Sequence, residues 1–305
     1  LIFRGERAIF LGEVVNFFFS NLINHRYIIE EKAFKVKIIL DFKRKVWGLR
    51  LREILRFILR FCRYNKNMLV NQVFRRTEVK YLLSPEEYEK FLAVVEPYLK
   101  KDKYFRGTNC SLYFDNDEKY IAIHSLEKPL YKEKVRVRSY GVPGENDIVF
   151  IEIKKKFRGI GSKRRIPVRL KNFQKYLETG ELLTETTEDG QIKRELDYCM
   201  AFYQLKPTVY IAYDRTSYCD EDDPSFRVTF DQNVRYRAED LDLGKGDYGK
   251  KYFQDGSVIM EVKALGGFPL YFVRALSRFQ IYPTKFSKYN KVMNNLIKEK
   301  NYETN

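Results

Sequence analysis

The chain has 305 residues, 44% of them hydrophobic, and a formal net charge of +16. Such a length and apolar content support one large domain or two ordinary ones with a real core, and exclude global disorder. The charge points to an anionic partner, whether nucleic acid, phospholipid headgroups or phosphorylated small molecules, while four cysteines without CxxC spacing (Cys62, Cys110, Cys199, Cys219) and two histidines (His25, His124) argue against a zinc site, a disulfide framework or histidine-based catalysis.

Residues 1–67 form a basic and apolar leader, with 15 Lys+Arg against 6 Asp+Glu and no methionine before Met68. Within it, 42–67 has Leu51, Ile54, Leu55, Ile58 and Leu59 at helical spacing, the pattern of a basic amphipathic helix on a membrane surface. The competing reading, which we take as the expectation, is translated upstream sequence preceding a start at Met68. The apolar run 8–24 contains Glu13 and is too short for a clean membrane span. From Met68 onward no stretch qualifies as a transmembrane segment.

Residues 68–305 read as one domain. "EVKY" (78–81) alternates with a period of two, placing Glu78 and Lys80 opposite Val79 and Tyr81. Ser84 as N-cap and Pro85 in the first turn open a helix over 84–99, with Tyr88, Phe91, Leu92 and Val95 on one side. A less regular strand is expected at 109–115 and a short helix at 116–127, whose His124 reads as structural. "KVRVR" (134–138) lines one strand face with Lys134, Arg136 and Arg138. In 150–156, Glu152, Lys154 and Lys156 oppose Ile151 and Ile153. A basic loop, "GSKRR", follows, then helices at 168–180, closed by Gly180, and at 192–204. Strands at 208–218 and 226–231 come next, the second setting Arg227, Thr229 and Asp231 opposite Phe226, Val228 and Phe230. The strand "MEVKA" (260–264) and helices at 270–279 and 287–301 complete the order.

This pattern fits an α+β domain in two ways. An open antiparallel sheet would leave its charged face in water. A closed barrel would turn that face inward and cover its apolar outside with helices. Arg136 and Arg138, ~6.5–7 Å apart on one strand face, repel by roughly 0.6 kcal/mol in water and about 2.4 kcal/mol at an effective dielectric of ~20. Several such pairs in a bore therefore call for a bound polyanion, and a triphosphate is a compact one that Arg binds through a bidentate fork. "GIGSK" lacks the spacing of a Walker loop, and no GxSxG, HExxH or EF-hand pattern occurs.

The ordered set "FRRTEVKY", "KVRVRSYG", "IEIKKK", "KRRIPV", "YDRTSY", "FRVTFD", "MEVKALGGFP" and "TKFSKY" resembles the VTC-type polyphosphate polymerase domain of the triphosphate tunnel metalloenzyme (CYTH-like) group, over about 74–290. The resemblance implies a closed eight-stranded antiparallel β-barrel, a triphosphate tunnel with a polar interior covered by helices. It implies transfer of the ATP γ-phosphate onto a growing inorganic polyphosphate chain with Mn²⁺ or Mg²⁺. Motif by motif, the phosphate-binding residues implied are Lys80, Arg136, Arg138, Lys154, Lys163 or a neighbour in "GSKRR", Arg215, Arg227, Lys285 and Lys288. Glu261 is the implied metal ligand, with Glu78, Glu152 and Asp231 as further metal ligands or as partners orienting the arginines. ATP and polyphosphate are the expected partners, with no specific nucleic acid. The expected location is the cytoplasm, with a peripheral position at a membrane as a variant. Two alternatives stay open: a tripolyphosphate, nucleoside triphosphate or RNA 5′-triphosphate hydrolase on the same fold, and a non-catalytic polyanion-binding module.

Overall fold

The computed structural model describes residues 77–127, 129–158, 160–182 and 190–303. The leader over 1–67, with its amphipathic helix and the proposed start at Met68, lies outside the described residues. Strand β1 (Thr77–Leu83) leads into helix α1 (Pro85–Val95), followed by β2 (Leu99–Asp115), α2 (Tyr120–Leu126), β3 (Tyr131–Tyr140), β4 (Ile148–Phe157) and β5 (Ile160–Arg169). Then come α3 (Leu170–Thr179), α4 (Gly190–Phe202), β6 (Lys206–Asp220), β7 (Arg227–Arg237), the two-residue β8 (Lys250–Lys251), β9 (Val258–Ala264), α5 (Leu270–Arg278) and α6 (Lys288–Glu303).

Every strand pairing is antiparallel, in the order β1-β9-β7-β6-β2-β3-β4-β5, with β8 attached beside β7. The period-two alternation sorts the sheet into two faces. Tyr81, Leu83, Tyr218, Val228, Phe230, Met260 and Val262 belong to one apolar cluster, covered by Phe91 and Val95 of α1 and Phe272, Ala275 and Leu276 of α5. Ser84 caps α1 as its spacing predicts: Ser84 Oγ accepts from the Glu87 amide at 3.2 Å, and Glu87 accepts from the Ser84 amide at 2.7 Å. A second cluster joins Leu112, Val135, Val137, Ile151, Ile153 and Ile166 to Phe173 of α3 and Leu196 of α4. Gly180 ends α3 with φ +73°, the left-handed conformation expected of a C-cap.

The expected closed barrel is corrected in one respect. The eight-strand path has two free ends, and among the described residues β1 and β5 do not pair. The edge of β1 is instead taken by Thr284, whose amide donates to the Lys80 carbonyl at 2.7 Å in an isolated antiparallel bridge. At the other end, β5 carries Lys163, Arg164, Arg165 and Pro167, residue types that discourage a further strand from adding. The sheet is nonetheless curled, since Glu78 and Lys80 of β1 and Glu261 of β9 come near enough to act on Lys154 of β4. No helix among the described residues is long and apolar enough to cross a membrane.

Candidate functional site

Three carboxylates of the charged face, Glu152, Asp231 and Glu261, are each surrounded by two or more cations. Glu152 on β4, with 2% of its side chain exposed, accepts from Arg136 Nε at 2.7 Å and Nη2 at 2.6 Å, and from Lys163 Nζ at 3.3 Å. Burial pushes its carboxyl up, but Arg136, Arg138 and Lys163 outweigh that and hold it at about 2. The strand register accounts for the pairing: Arg136 lies opposite Glu152 in β3–β4, and Glu152 opposite Arg165 in β4–β5. Asp231 on β7 is fully buried and takes Arg215 through Nε at 2.5 Å and Nη2 at 2.8 Å, with Lys288 of α6 on the same Oδ2. Burial again opposes its charge, and Lys288 and Arg215 overcome it, so its carboxyl lies below the ordinary range. Glu261 on β9 pairs with Lys263 and lies 3.7 Å from Lys80 and 3.9 Å from Arg215. Against burial, Lys263, Lys80 and Arg215 keep it ionised, well below the usual carboxylate range.

Among the described residues, no carboxylate lies within ion-pair distance of Arg138, Lys134 or Lys154 on this face. Arg138 donates to Ser111 Oγ and to the Tyr213 hydroxyl, each at 3.2 Å. Lys134 donates to Asn290 Oδ1 and, at 3.5 Å, to Ser287 Oγ, with its ammonium 4.8 Å from the Tyr289 ring centre. Burial and the nearby charges of Lys132, Lys154, Lys80 and Arg136 lower Lys134 to about 7. Lys154 is exposed, opposite Lys134 on β3 and Lys163 on β5. Desolvation by neighbouring protein, with Lys80 and Arg136 adding and Glu78 and Glu261 opposing, lowers its ammonium as well. These influences run from β1 and β9 to β3 and β4, strands well separated in the ladder order. Tyr213 is encircled: the Lys288 ammonium is 4.2 Å and the Arg215 guanidinium 5.2 Å from its ring centre.

Lys80, Arg136, Arg138, Lys154, Lys163, Arg215, Lys288, Glu152, Asp231, Glu261 and Glu78 thus gather on one face. Arg227 sits at its rim, half exposed, 3.7 Å from Asp102. Lys285 is exposed, next to the Thr284 bridge, and has no hydrogen bond or ion pair to the cluster among the described residues. The register also separates the three cations of "GSKRR". Lys163 faces Lys154 and Arg165 faces Glu152 on the charged side, whereas Arg164 faces Ile153 and pairs with Glu195 of α4 on the helix-covered side. Accordingly, Lys163→Ala should weaken tripolyphosphate binding roughly five- to tenfold, while Arg164→Ala should change it less than twofold, as measured by isothermal titration calorimetry.

Glu152 and Asp231 have both carboxylate oxygens engaged by cations, which leaves little coordinating capacity for a metal. No group of three His, Cys, Asp or Glu converges among the described residues. Glu261 is held more loosely: Lys263 takes its Oε1, but Lys80 and Arg215 stay 3.7 and 3.9 Å from Oε2, and Glu78 lies 3.6 Å from Lys80. Two hard carboxylates are too few for a protein-built cage. They fit Mg²⁺ or Mn²⁺, which keep waters and take substrate phosphate oxygens as ligands.

Tyr113, Tyr213, Lys263 and Lys134 belong to this site without having been singled out for it in the sequence. Lys134 had a readable signal, since it shares the alternation of Arg136 and Arg138. Tyr213 had none, because a register irregularity between Ala212 and Asp214 interrupts the β6–β7 ladder beside it.

Comparison with known proteins bears on the family. The VTC domain family matches residues 75–297. The vacuolar transporter chaperone complex subunit 4 of Trypanosoma cruzi is 30% identical over 217 residues, covering 57% of this chain and 27% of that protein. The subunit 4 of Schizosaccharomyces pombe is 28% identical over 149 residues, covering 43% of this chain and 20% of that protein. The chain therefore spans about a quarter of the length of these relatives. Among solved structures, a putative adenylate cyclase from Bacillus halodurans is 14% identical with a TM-score of 0.43, covering 69% of this chain and 92% of that one. A putative adenylyl cyclase from Hippeastrum, described as having a dominant triphosphatase activity, is 15% identical with a TM-score of 0.43, covering 70% of this chain and 92% of that one. With the family matched over most of its length and its motifs gathered on one charged face, the chain belongs to the VTC domain family.

Proposed function

We propose that this domain transfers the γ-phosphoryl group of ATP to the end of an inorganic polyphosphate chain held along the charged face. The observation that carries the proposal is the set of cations held close together without carboxylate partners: Arg138, Lys134 and Lys154, beside the ion-paired Arg136, Arg215 and Lys288. Crowding of this kind is unfavourable unless a polyanion neutralises it. Membership of the VTC domain family, and the likeness to proteins named vacuolar transporter chaperone complex subunit 4, agree with a polyphosphate substrate.

The chemistry asks for positioning and charge neutralisation rather than covalent work. A terminal oxygen of the acceptor chain attacks the γ-phosphorus of ATP. The bond from that phosphorus to the β–γ bridging oxygen breaks, ADP leaves with the bond's electrons, and the acceptor grows by one phosphate. Arg136 and Arg138 present planar forks to the transferring group, and preorganised donors of this kind stabilise the charge on its equatorial oxygens. Glu152 and Asp231 fix Arg136 and Arg215 in orientation, so the protein does not reorganise during transfer. Lys288 and Lys80 approach from α6 and β1. A divalent cation held by Glu261 and Glu78 would supply further neutralisation of the phosphate oxygens.

Lys134 gives this reading a pH dependence. Its ammonium titrates at about 7, so tripolyphosphate binding should weaken as pH rises through neutrality and the charge is lost. Lys134→Arg, which stays charged, should flatten that decline between pH 6.5 and 8.5. An identical slope in both proteins would remove Lys134 from the account.

The direct test incubates purified full-length protein with ATP and Mn²⁺ and separates the products by gel electrophoresis. Chains longer than the added primer support the polymerase. Release of free phosphate alone would make the domain a hydrolase, and absence of turnover with retained polyanion binding would make it a binding module.

A further inference from the structure

Beneath the cations lies a stacked tyrosine pair. Tyr113 of β2 and Tyr289 of α6 are parallel to within 24°, with ring centres 4.8 Å apart. Each ring bears on a cation of the site. The Arg136 Nη1 donates to the Tyr113 hydroxyl at 2.9 Å, and the Lys134 ammonium lies 4.8 Å from the Tyr289 ring centre. Tyr289 also follows Lys288 directly in the chain. Its hydroxyl donates to Asp115 Oδ2 at 2.5 Å. Asp115 is fully buried and is itself fixed by amide donors: Asn116 and Ile121 at 2.9 Å to Oδ1, and Ala122 at 3.0 Å to Oδ2.

The geometry points to Tyr289 as a positioning residue: anchored on Asp115 and stacked on Tyr113, it holds Lys288 and Lys134 at their places on the phosphate-binding face. This inference rests on the proposed polyanion site, and it says how that site is assembled. The chain entering α6 is tied to β1 at Thr284 and Phe286, and α6 itself reaches the sheet through the side chains of Lys288, Tyr289 and Asn290. A bond to a buried carboxylate on β2 sets the depth and rotation of its first turn. That turn carries Lys288 to Asp231 and Asn290 to Lys134. The phenol ring lies against the Lys134 ammonium with a surface that attracts cations and adds no negative charge, so that cation is not withdrawn from phosphate.

The test is a binding cycle with inorganic tripolyphosphate and the full chain, read by calorimetry. Tyr289→Leu, which removes ring and hydroxyl, should weaken binding about tenfold or more, and Tyr289→Phe, which keeps the ring, by about threefold. In the Lys134→Ala/Lys288→Ala background, Tyr289→Leu should weaken the remaining binding less than twofold, because the groups it positions are gone. Equal losses in the two backgrounds would assign Tyr289 a purely structural role and overturn the inference. A second measurement needs no variant: in the wild-type protein, tripolyphosphate should slow hydrogen exchange of the amides at 289–293. Unchanged exchange with saturating ligand would also overturn it. If the wild-type protein does not bind tripolyphosphate at all, the polyanion site itself fails, a result distinct from an additive cycle.

Discussion

Arg136→Ala is expected to lower tripolyphosphate affinity by roughly two to three orders of magnitude and also to destabilise the ligand-free protein. Both effects come from one side chain. Its guanidinium bonds Glu152 through two nitrogens and Tyr113 through a third. Removing it takes away a guanidinium of the proposed phosphate-binding face and leaves Glu152 buried, with Lys163 as its remaining cation contact. Breaking a buried pair on one side costs about 3–5 kcal/mol, and the surviving lysine places this case toward the lower end. The sign of the pH dependence follows from the depressed carboxyl. Glu152 is held at about 2 against an ordinary 4.5, so the pair's contribution is complete above ~4.5 and fades as pH falls towards 2. The stability gap between wild type and Arg136→Ala should therefore narrow over that acid range. Adding Glu152→Gln to the variant should restore most of its stability near neutral pH without restoring affinity. Urea denaturation and calorimetry on the same samples separate the two effects, and joint recovery of both would show that Arg136 acts through folding alone.

Asp231→Asn carries the second large effect. Asp231 is fully buried and is the counter-ion of two cations that are themselves mostly buried, with 20% of the Arg215 side chain and 11% of Lys288 exposed. Asn keeps the shape and one acceptor but not the charge. The loss is about 3–5 kcal/mol, which lowers the melting temperature by roughly 10 °C for a domain of this size. A polyanion bound on the same face supplies the missing negative charge. Saturating tripolyphosphate should therefore raise the variant's melting temperature by more than it raises that of the wild type. Equal or smaller rises, measured by differential scanning calorimetry, would separate Asp231 from the binding face.

Much of this architecture was legible as alternation. Strands β1, β3, β4, β7 and β9 each set a charged row against an apolar row, and those rows become the two faces of the sheet. The parts that escaped notice lack that contrast. β5 reads as a basic loop because Arg164, on its helix-covered side, is a cation paired with Glu195 where an apolar residue would have marked the face. The first half of β2, "LKKDKYFRGT", is largely exposed and has no buried row to betray it. Closure of the sheet was beyond the reach of periodicity: it depends on whether two edges meet, and Thr284 occupies the edge of β1. The site shows the same division. The alternation that lines up Arg136, Arg138 and Lys154 is local. The partners that orient them are distant, as with Lys288 and Asp231, or Tyr289 and Asp115, which lie 57 and 174 positions apart.

The central claim is that a chain of phosphates lies along the face defined by Arg136, Arg138, Lys154, Arg215 and Lys288. A crystal structure of the protein grown with tripolyphosphate tests it most directly. The account predicts three consecutive phosphorus positions within hydrogen-bonding reach of those side chains, with Glu152 and Asp231 still holding Arg136 and Arg215. Tripolyphosphate bound instead on the helix-covered side, or along the exposed lysines of β2, with this face filled only by water, would contradict it.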